Sequence, residues 1–250
     1  MSKHVSESGH WYHRDGTPCY EIEGKGGKMR PTTLRDARKL QLLPSVTSII
    51  RLSAAPGLVN WQIDQAILAS LTLPRVDGET DEQFVARVKK DAAEQARKAR
   101  ERGTQIHAWI QEWFDDSRVA DEALPFCESA NRELYEACGN QDWLSEQAFA
   151  TDRFGGKADL HCPGFLIDIK TTDKDLGNLK LWPEHEMQLA AYIKGLWQVN
   201  IRRAGILFVN SITAESRLIW ATQEELERGW RCFDALVDFF YAKTGLEAKG

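Results

Sequence analysis

Two charged residues stand inside a strand that is otherwise built to be buried. The segment Leu166-Ile167-Asp168-Ile169-Lys170-Thr171-Thr172 follows Gly156-Lys157-Ala158-Asp159-Leu160 after a Pro163-Gly164 turn. Side chains alternate along a strand, so Leu166, Asp168 and Lys170 share one face while Ile167 and Ile169 share the other. A carboxylate and an ammonium thus project from one side, two residues apart. Charges rarely enter such a place unless they are paired or bound to metal. One reading is a half-exposed hairpin whose outer face carries an Asp–Lys pair. In the other, Asp159, read as ending its strand, and Asp168 converge on a hard cation, which takes oxygen ligands. Lys170 would then hold or activate a water.

The surrounding pattern gives a mixed α/β chain. His10–Ile22 reads as a hairpin about Arg14-Asp15-Gly16, and Gly24–Arg30 as a mobile Gly/Lys-rich loop. Leu43–Ile50 enters a helix with Ser45 as N-cap, and Leu58–Leu71 is apolar at helical spacing. A long helical stretch runs from Asp81 to about Phe114, with a candidate interruption at Gly103, and another helix covers about Pro125–Cys138. Strands follow at Trp143–Thr151, Gly156–His161 and Phe165–Lys170, then a helix over Glu186–Val199 and strands at Ala204–Asn210 and Arg217–Trp220. Thr222-Gln223-Glu224-Glu225 has the form of a capping box and opens a last helix running to about Lys243.

Three polar positions extend the Asp–Lys constellation. Gly103 precedes His107 by four residues, so both lie on one helix face; the glycine permits close approach and the imidazole is either a metal ligand or a satisfied core group. Gln188 and Tyr192 are also four apart, either at the site or as surface polar groups. Glu146, in Trp143-Leu144-Ser145-Glu146, either adds a carboxylate or faces solvent.

Read in chain order, the set is G-x-x-x-H, E, G-x-x-D, D-x-K and Q-x-x-x-Y. This order resembles the PD-(D/E)XK nuclease superfamily, in its RecB-like and phage-type exonuclease branch. Leu43–Ile50 and Pro56-Gly57-Leu58-Val59-Asn60-Trp61 look like the N-terminal part of phage and mitochondrial-type members, so the resemblance spans about residues 43–210. It implies a restriction-endonuclease-like core with a central mixed sheet flanked by helices over residues 81–250, preceded by an N-terminal hairpin and helical region over 1–80. By that resemblance His107, Asp159 and Asp168 bind Mg²⁺ or Mn²⁺, with the backbone carbonyl of Ile169 helping. Lys170, Asp168, Asp159 and Glu146 form the catalytic set, with Glu146 varying in role across the superfamily. Gln188 and Tyr192 shape the site and touch DNA. Members with an iron–sulfur cluster use four bracketing cysteines; here Cys19 and Cys232 flank the span of about residues 43–210, but the C-terminal trio is missing, so no cluster is expected.

Composition bounds the remaining classes. The five cysteines are widely spaced without a CxxC pair, which disfavours a disulfide framework or zinc ribbon. No run of about 18 apolar residues exists, and MSKHVSESGH lacks a leader's apolar stretch, so a cytoplasmic protein of a bacterial host or phage-infected cell is expected, with no membrane partner. The net charge of −5 disfavours a protein that coats nucleic acid but not one that grips it in a groove. Lys25–Lys39 and Arg87–Arg102 are locally basic, as phosphate contacts or as solvated faces. The expected activity is metal-dependent DNA exonucleolysis in phage or mobile-element recombination, repair or processing. The partners expected are DNA, a single-strand annealing protein and further copies of the chain. The alternatives are a catalytically inactive DNA-binding or scaffold protein with this fold, and a structure-specific endonuclease.

Overall fold

The computed structural model describes residues 10–53, 56–115 and 118–247; the N-terminal stretch read as lacking a leader lies outside these. The chain opens with β1 (Trp11–Tyr12), β2 (Glu21–Glu23) and β3 (Met29–Pro31). Next come α1 (Leu34–Leu40), β4 (Leu43–Pro44), α2 (Val46–Ile50), α3 (Pro56–Thr72) and α4 (Asp81–Phe114). A short 3₁₀ turn leads into α5 (Leu124–Cys138), followed by β5 (Leu144–Ala150), β6 (Gly155–Cys162) and β7 (Gly164–Thr172). The last elements are α6 (Pro183–Gly195), β8 (Ile201–Asn210), β9 (Ser216–Trp220) and α7 (Gln223–Thr244).

The fold is mixed α/β with a five-stranded sheet in the order β5-β6-β7-β8-β9. Its pairs are antiparallel except β7–β8, which is parallel and therefore needs the α6 crossover. Helices cover both faces. On one, Leu166, Ala204, Ile206 and Phe208 pack with α6, α7 and α2; on the other, Leu160, Ile167, Ile169 and Leu207 pack with α4 and α5. Trp11, Ala37, Val46 and Ile49 belong to the first of these cores, so the elements before α3 share it with Phe233, Val237 and Phe240 of α7.

The helix ends follow local chemistry. Ser45 caps α2 by accepting the Ser48 amide at 3.0 Å. Thr222 and Glu225 cap each other's backbone at the start of α7, and Thr80 with Gln83 does the same for α4. The helix α4 runs unbroken through Gly103. A mid-helix glycine costs about 1 kcal/mol, less than the stabilisation from burying Ile106, Trp109 and Ile110 one turn on.

The expected turn at Gly16 forms, with its amide donating to His13 O at 3.0 Å, and the chain closes locally across it: the Cys19 amide donates to Trp11 O at 2.8 Å and Tyr12 bridges Pro18, while Trp11–Tyr12 also ladders with Leu43–Pro44. One N-terminal expectation needs correction. Gly24–Arg30 is not a free loop: β2 and β3 pair through it, with Gly26 and Gly27 in the left-handed region the turn requires.

Candidate functional site

An open cleft of about 690 Å³ lies where α4 crosses the β5–β6–β7 part of the sheet. Its walls include His107, Glu146, Asp159, Ile169, Lys170 and Tyr192, all singled out from sequence.

A local irregularity aims two of its carboxylates. The pairs Ser145↔Leu160 and Gln147↔Ala158 flank Glu146 and Asp159, which do not pair with each other. Ala158 belongs to the core on the α6–α7 side, whereas Leu160 belongs to the core on the α4–α5 side. In a regular strand residues two apart share a face, so β6 leaves its alternation at Asp159, which lies within the strand rather than at its end. The matching distortion on β5 is Glu146, a non-glycine residue at φ 50°. Backbone held in that region costs on the order of 1–3 kcal/mol and persists where surrounding structure enforces it. Its result is convergence: one ligand atom each from His107, Glu146 and Asp159 lies within 4.8 Å of the others.

The individual contacts explain the electrostatics. His107 Nε2 is 3.0 Å from Asp159 Oδ2 and its Nδ1 is 3.8 Å from Glu146 Oε1. Burial pulls the His107 pKa down, but the Asp159 charge and hydrogen bond outweigh it and hold the imidazole above its ordinary value. Burial pushes Asp159 upward, yet His107, Lys170 and the Ile169 amide, which donates to Oδ2 at 2.7 Å, keep it below the usual carboxylate range. Glu146 also pairs with Lys157, a cleft residue the sequence reading passed over.

Asp168 sits one strand over and is 1% exposed. Gln188 Nε2 donates to its Oδ1 at 2.8 Å and lies 2.9 Å from Tyr192 OH. Lys170 Nζ is 2.8 Å from Oδ2, close enough for charge pairing but without a well-angled hydrogen bond, so this buried oxygen has unused acceptor capacity. Burial raises Asp168 to about 6 against the pull of Lys170. Burial disfavours the Lys170 ammonium, but Asp168 and Asp159 more than compensate, and its pKa lies above normal. Lys170 is therefore a cation at neutral pH.

The structure thus gathers His107, Glu146 and Asp159 into one cluster with the spacing to hold a metal ion. Asp168 stands beside it with its oxygens turned to Gln188 and Lys170. Ile169 presents its amide to Asp159 and lines the cleft, and Tyr192 lines it too. The donors suit a divalent ion: two carboxylates, an imidazole and a buried oxygen with a free lone pair. Arg100, from the basic stretch Arg87–Arg102 named as phosphate contacts or a solvated face, also lines the cleft; it lies seven residues, two turns, before His107 on α4. Tyr12 and Tyr20, whose hydroxyls are 2.6 Å apart, close the far wall, and no local pattern links them to β6.

No family model and no curated protein matches the chain. Among solved structures, a Eubacterium rectale protein described as a candidate exonuclease is similar with a TM-score of 0.42 and 13% identity, over 58% of this chain and 69% of that one. The protein SSO0001 is similar with a TM-score of 0.27 and 16% identity, over 48% of this chain and 62% of that one. Likenesses of this depth carry no weight for function, which rests on the residues of the cleft. Among the described residues, no helix is long and apolar enough to cross a membrane.

Proposed function

We propose that this chain is a divalent-metal-dependent DNA nuclease of the PD-(D/E)XK kind. The observation that carries the reading is the convergence of His107, Glu146 and Asp159 beside the buried Asp168–Lys170 pair in one open cleft. His107, Asp159 and Asp168, with Glu146, would hold Mg²⁺ or Mn²⁺. A bound ion of this type lowers the pKa of its water and offsets charge on a phosphoryl oxygen.

The chain's own residues supply the rest. Lys170 would present its cationic Nζ toward the attacking water or the phosphate, where it offsets developing negative charge. Gln188 fixes Asp168 in orientation and Tyr192 OH supports Gln188 from the next turn of α6. Arg100 and Lys157 give the cleft positive charge for a phosphodiester backbone. By the family resemblance we assign exonucleolytic action in phage or mobile-element DNA processing, beside a single-strand annealing protein.

The test is degradation of end-labelled DNA with Mg²⁺ or Mn²⁺ by the wild type, Asp168→Ala and Lys170→Ala. Loss of at least a hundredfold in both variants is expected, as for removal of a charge-stabilising group. Equal activity in all three removes the mechanism, and Mn²⁺ binding without hydrolysis in the wild type assigns a non-catalytic role. A covalently closed circle is spared by an exonuclease and cut by an endonuclease.

A further inference from the structure

The far wall of the cleft is aromatic. His10 stacks on Tyr20 with ring centroids 4.5 Å apart and planes 30° from parallel, and Tyr20 meets Tyr12 edge-on. All three line the cavity that holds His107, Glu146 and Asp159. Tyr12 is buried and holds Tyr20 through the hydroxyl pair, whereas His10, at the end of the stack, is exposed. The His10 backbone is fixed on both sides: its amide donates to Ser48 Oγ at 3.2 Å and its carbonyl accepts the Ser45 amide at 3.0 Å. Partial burial, then the charges of Arg51 and Lys157, keep the imidazole below its ordinary value of 6.5, so it is neutral at pH 7. An ordered, uncharged ring thus stands open to the cleft with two cations near it, and it takes no part in the metal cluster.

We propose that His10, backed by Tyr20 and Tyr12, is a stacking platform for an unpaired base, and that the cleft therefore takes single-stranded DNA. This rests on the nuclease reading and adds its substrate class. An aromatic face beside cations matches the two recurring contacts of single-strand binding, base on ring and phosphate on positive charge. Arg51 and Lys157 act on His10 itself, and Lys157 and Arg100 line the same cavity. The spacing fits a strand. Tyr12 rests on Gly155, where an added Cβ would lie 2.6 Å from the Tyr12 Cβ, and Gly155 precedes Asp159 by four residues of β6. That is about 13 Å of strand. Successive phosphates of a stacked DNA strand are ~3.4 Å apart, so a strand held at the metal cluster reaches the aromatic wall within about four nucleotides. Paired DNA fits poorly, because a base inside a duplex has both faces covered and must leave the stack to meet an aromatic side chain. The cleft volume of about 690 Å³ is also that of a small-molecule pocket, which suits a few nucleotides of one strand.

Fluorescence anisotropy tests this with a labelled oligothymidylate of about ten nucleotides and with the same sugar-phosphate strand lacking its bases. The protein is the full chain carrying Asp168→Ala to stop hydrolysis, with Mn²⁺ present. Adding His10→Ala is expected to weaken oligothymidylate binding at least about fivefold, the low end for loss of one base–aromatic stack. The weaker binding of the baseless strand should not change. Adding His10→Phe instead, which keeps the aromatic face and loses the ring nitrogens, should leave oligothymidylate binding as in the parent. Unchanged binding in His10→Ala, loss of binding in His10→Phe, or a baseless strand bound as tightly as oligothymidylate overturns the platform. Hydrolysis of end-labelled DNA by the chain with Asp168 intact would then leave the nuclease reading standing. Tighter binding of a blunt duplex than of oligothymidylate overturns the assignment of single strands. Failure to bind either DNA, together with no hydrolysis, removes the nuclease reading as well.

Discussion

Gly103 on α4 lies so close to β7 that a Cβ added to it would sit 2.6 Å from Thr171 Oγ1. The glycine lets the helix settle onto the strand, and one turn later that places His107 3.0 Å from Asp159. Gly103→Ala sets two magnitudes against each other. Ala favours the helix by about 1 kcal/mol, while overpacking costs about 1–3 kcal/mol. The single variant is expected to be neutral to about 2 kcal/mol destabilised. Adding Thr171→Ala removes the obstacle and should restore stability to wild type or slightly above. Urea unfolding of the four proteins gives the coupling energy; additive effects would mean that the two residues do not constrain each other.

His107 should govern which metal the site prefers. Imidazole suits Mn²⁺ better than Mg²⁺, which favours oxygen. By calorimetry His107→Ala is expected to weaken Mn²⁺ binding at least tenfold while leaving the fold intact, since the side chain is only partly buried. His107→Asp should recover part of the Mg²⁺-supported activity. Unfolding of His107→Ala with unchanged metal affinity in the surviving protein would make the residue an ordinary packing histidine.

What could be read from the sequence divides by the range of the interaction. Ser45, the Thr222–Glu225 box and α4 were legible because caps and helical periodicity are local. The alternation that put Asp168 and Lys170 on one face of β7 holds, as does the four-residue spacing that brings Gln188 and Tyr192 together. Trp11 pairing with Pro44 was not legible, because their contact spans the turn, the β2–β3 hairpin and α1. Nor was the break in alternation at Asp159, which depends on Glu146 adopting a conformation its residue type rarely takes. That break decides which acids meet: Glu146, which the sequence left between the site and solvent, joins His107 and Asp159, while Asp168 points to Gln188 and Lys170.

Asp168 should weaken the metal-free protein. Its folded pKa of about 6 exceeds the ordinary value of 3.8, so between those values the folded state binds more protons than the unfolded. Stability contributed by the protonated acid is present at low pH and lost as pH rises through 6. In chelator at pH 8, Asp168→Asn is therefore expected to be more stable than wild type by about 1–3 kcal/mol, and inactive. The gain should shrink toward zero as pH falls from 6 to 4. A destabilised Asn variant at pH 8 would show that the Lys170 pairing outweighs burial.

His185 carries the opposite dependence. It occupies the first turn of α6, where its Nδ1 accepts the Trp182 amide at 3.3 Å and its ring meets Phe208 edge-on. Burial, then the nearby Lys170 charge, lowers its pKa from 6.5 to about 4. Protonation would remove the acceptor and add a cation at a helix N-terminus, where the dipole already disfavours positive charge. Because the unfolded chain takes up the proton first, the unfolded state binds more protons between pH 6.5 and pH 4. Stability is therefore complete above 6.5 and falls as pH drops through that window, by about 3 kcal/mol at most. Gln at this position can still accept the Trp182 amide, as Gln does in a capping box, but cannot titrate. His185→Gln should match wild type in urea midpoint at pH 7.5 and exceed it at pH 4.5. Comparing the two proteins cancels the carboxylates that titrate in the same range. Parallel pH profiles would show that His185 protonates as readily in the folded chain as in the unfolded one.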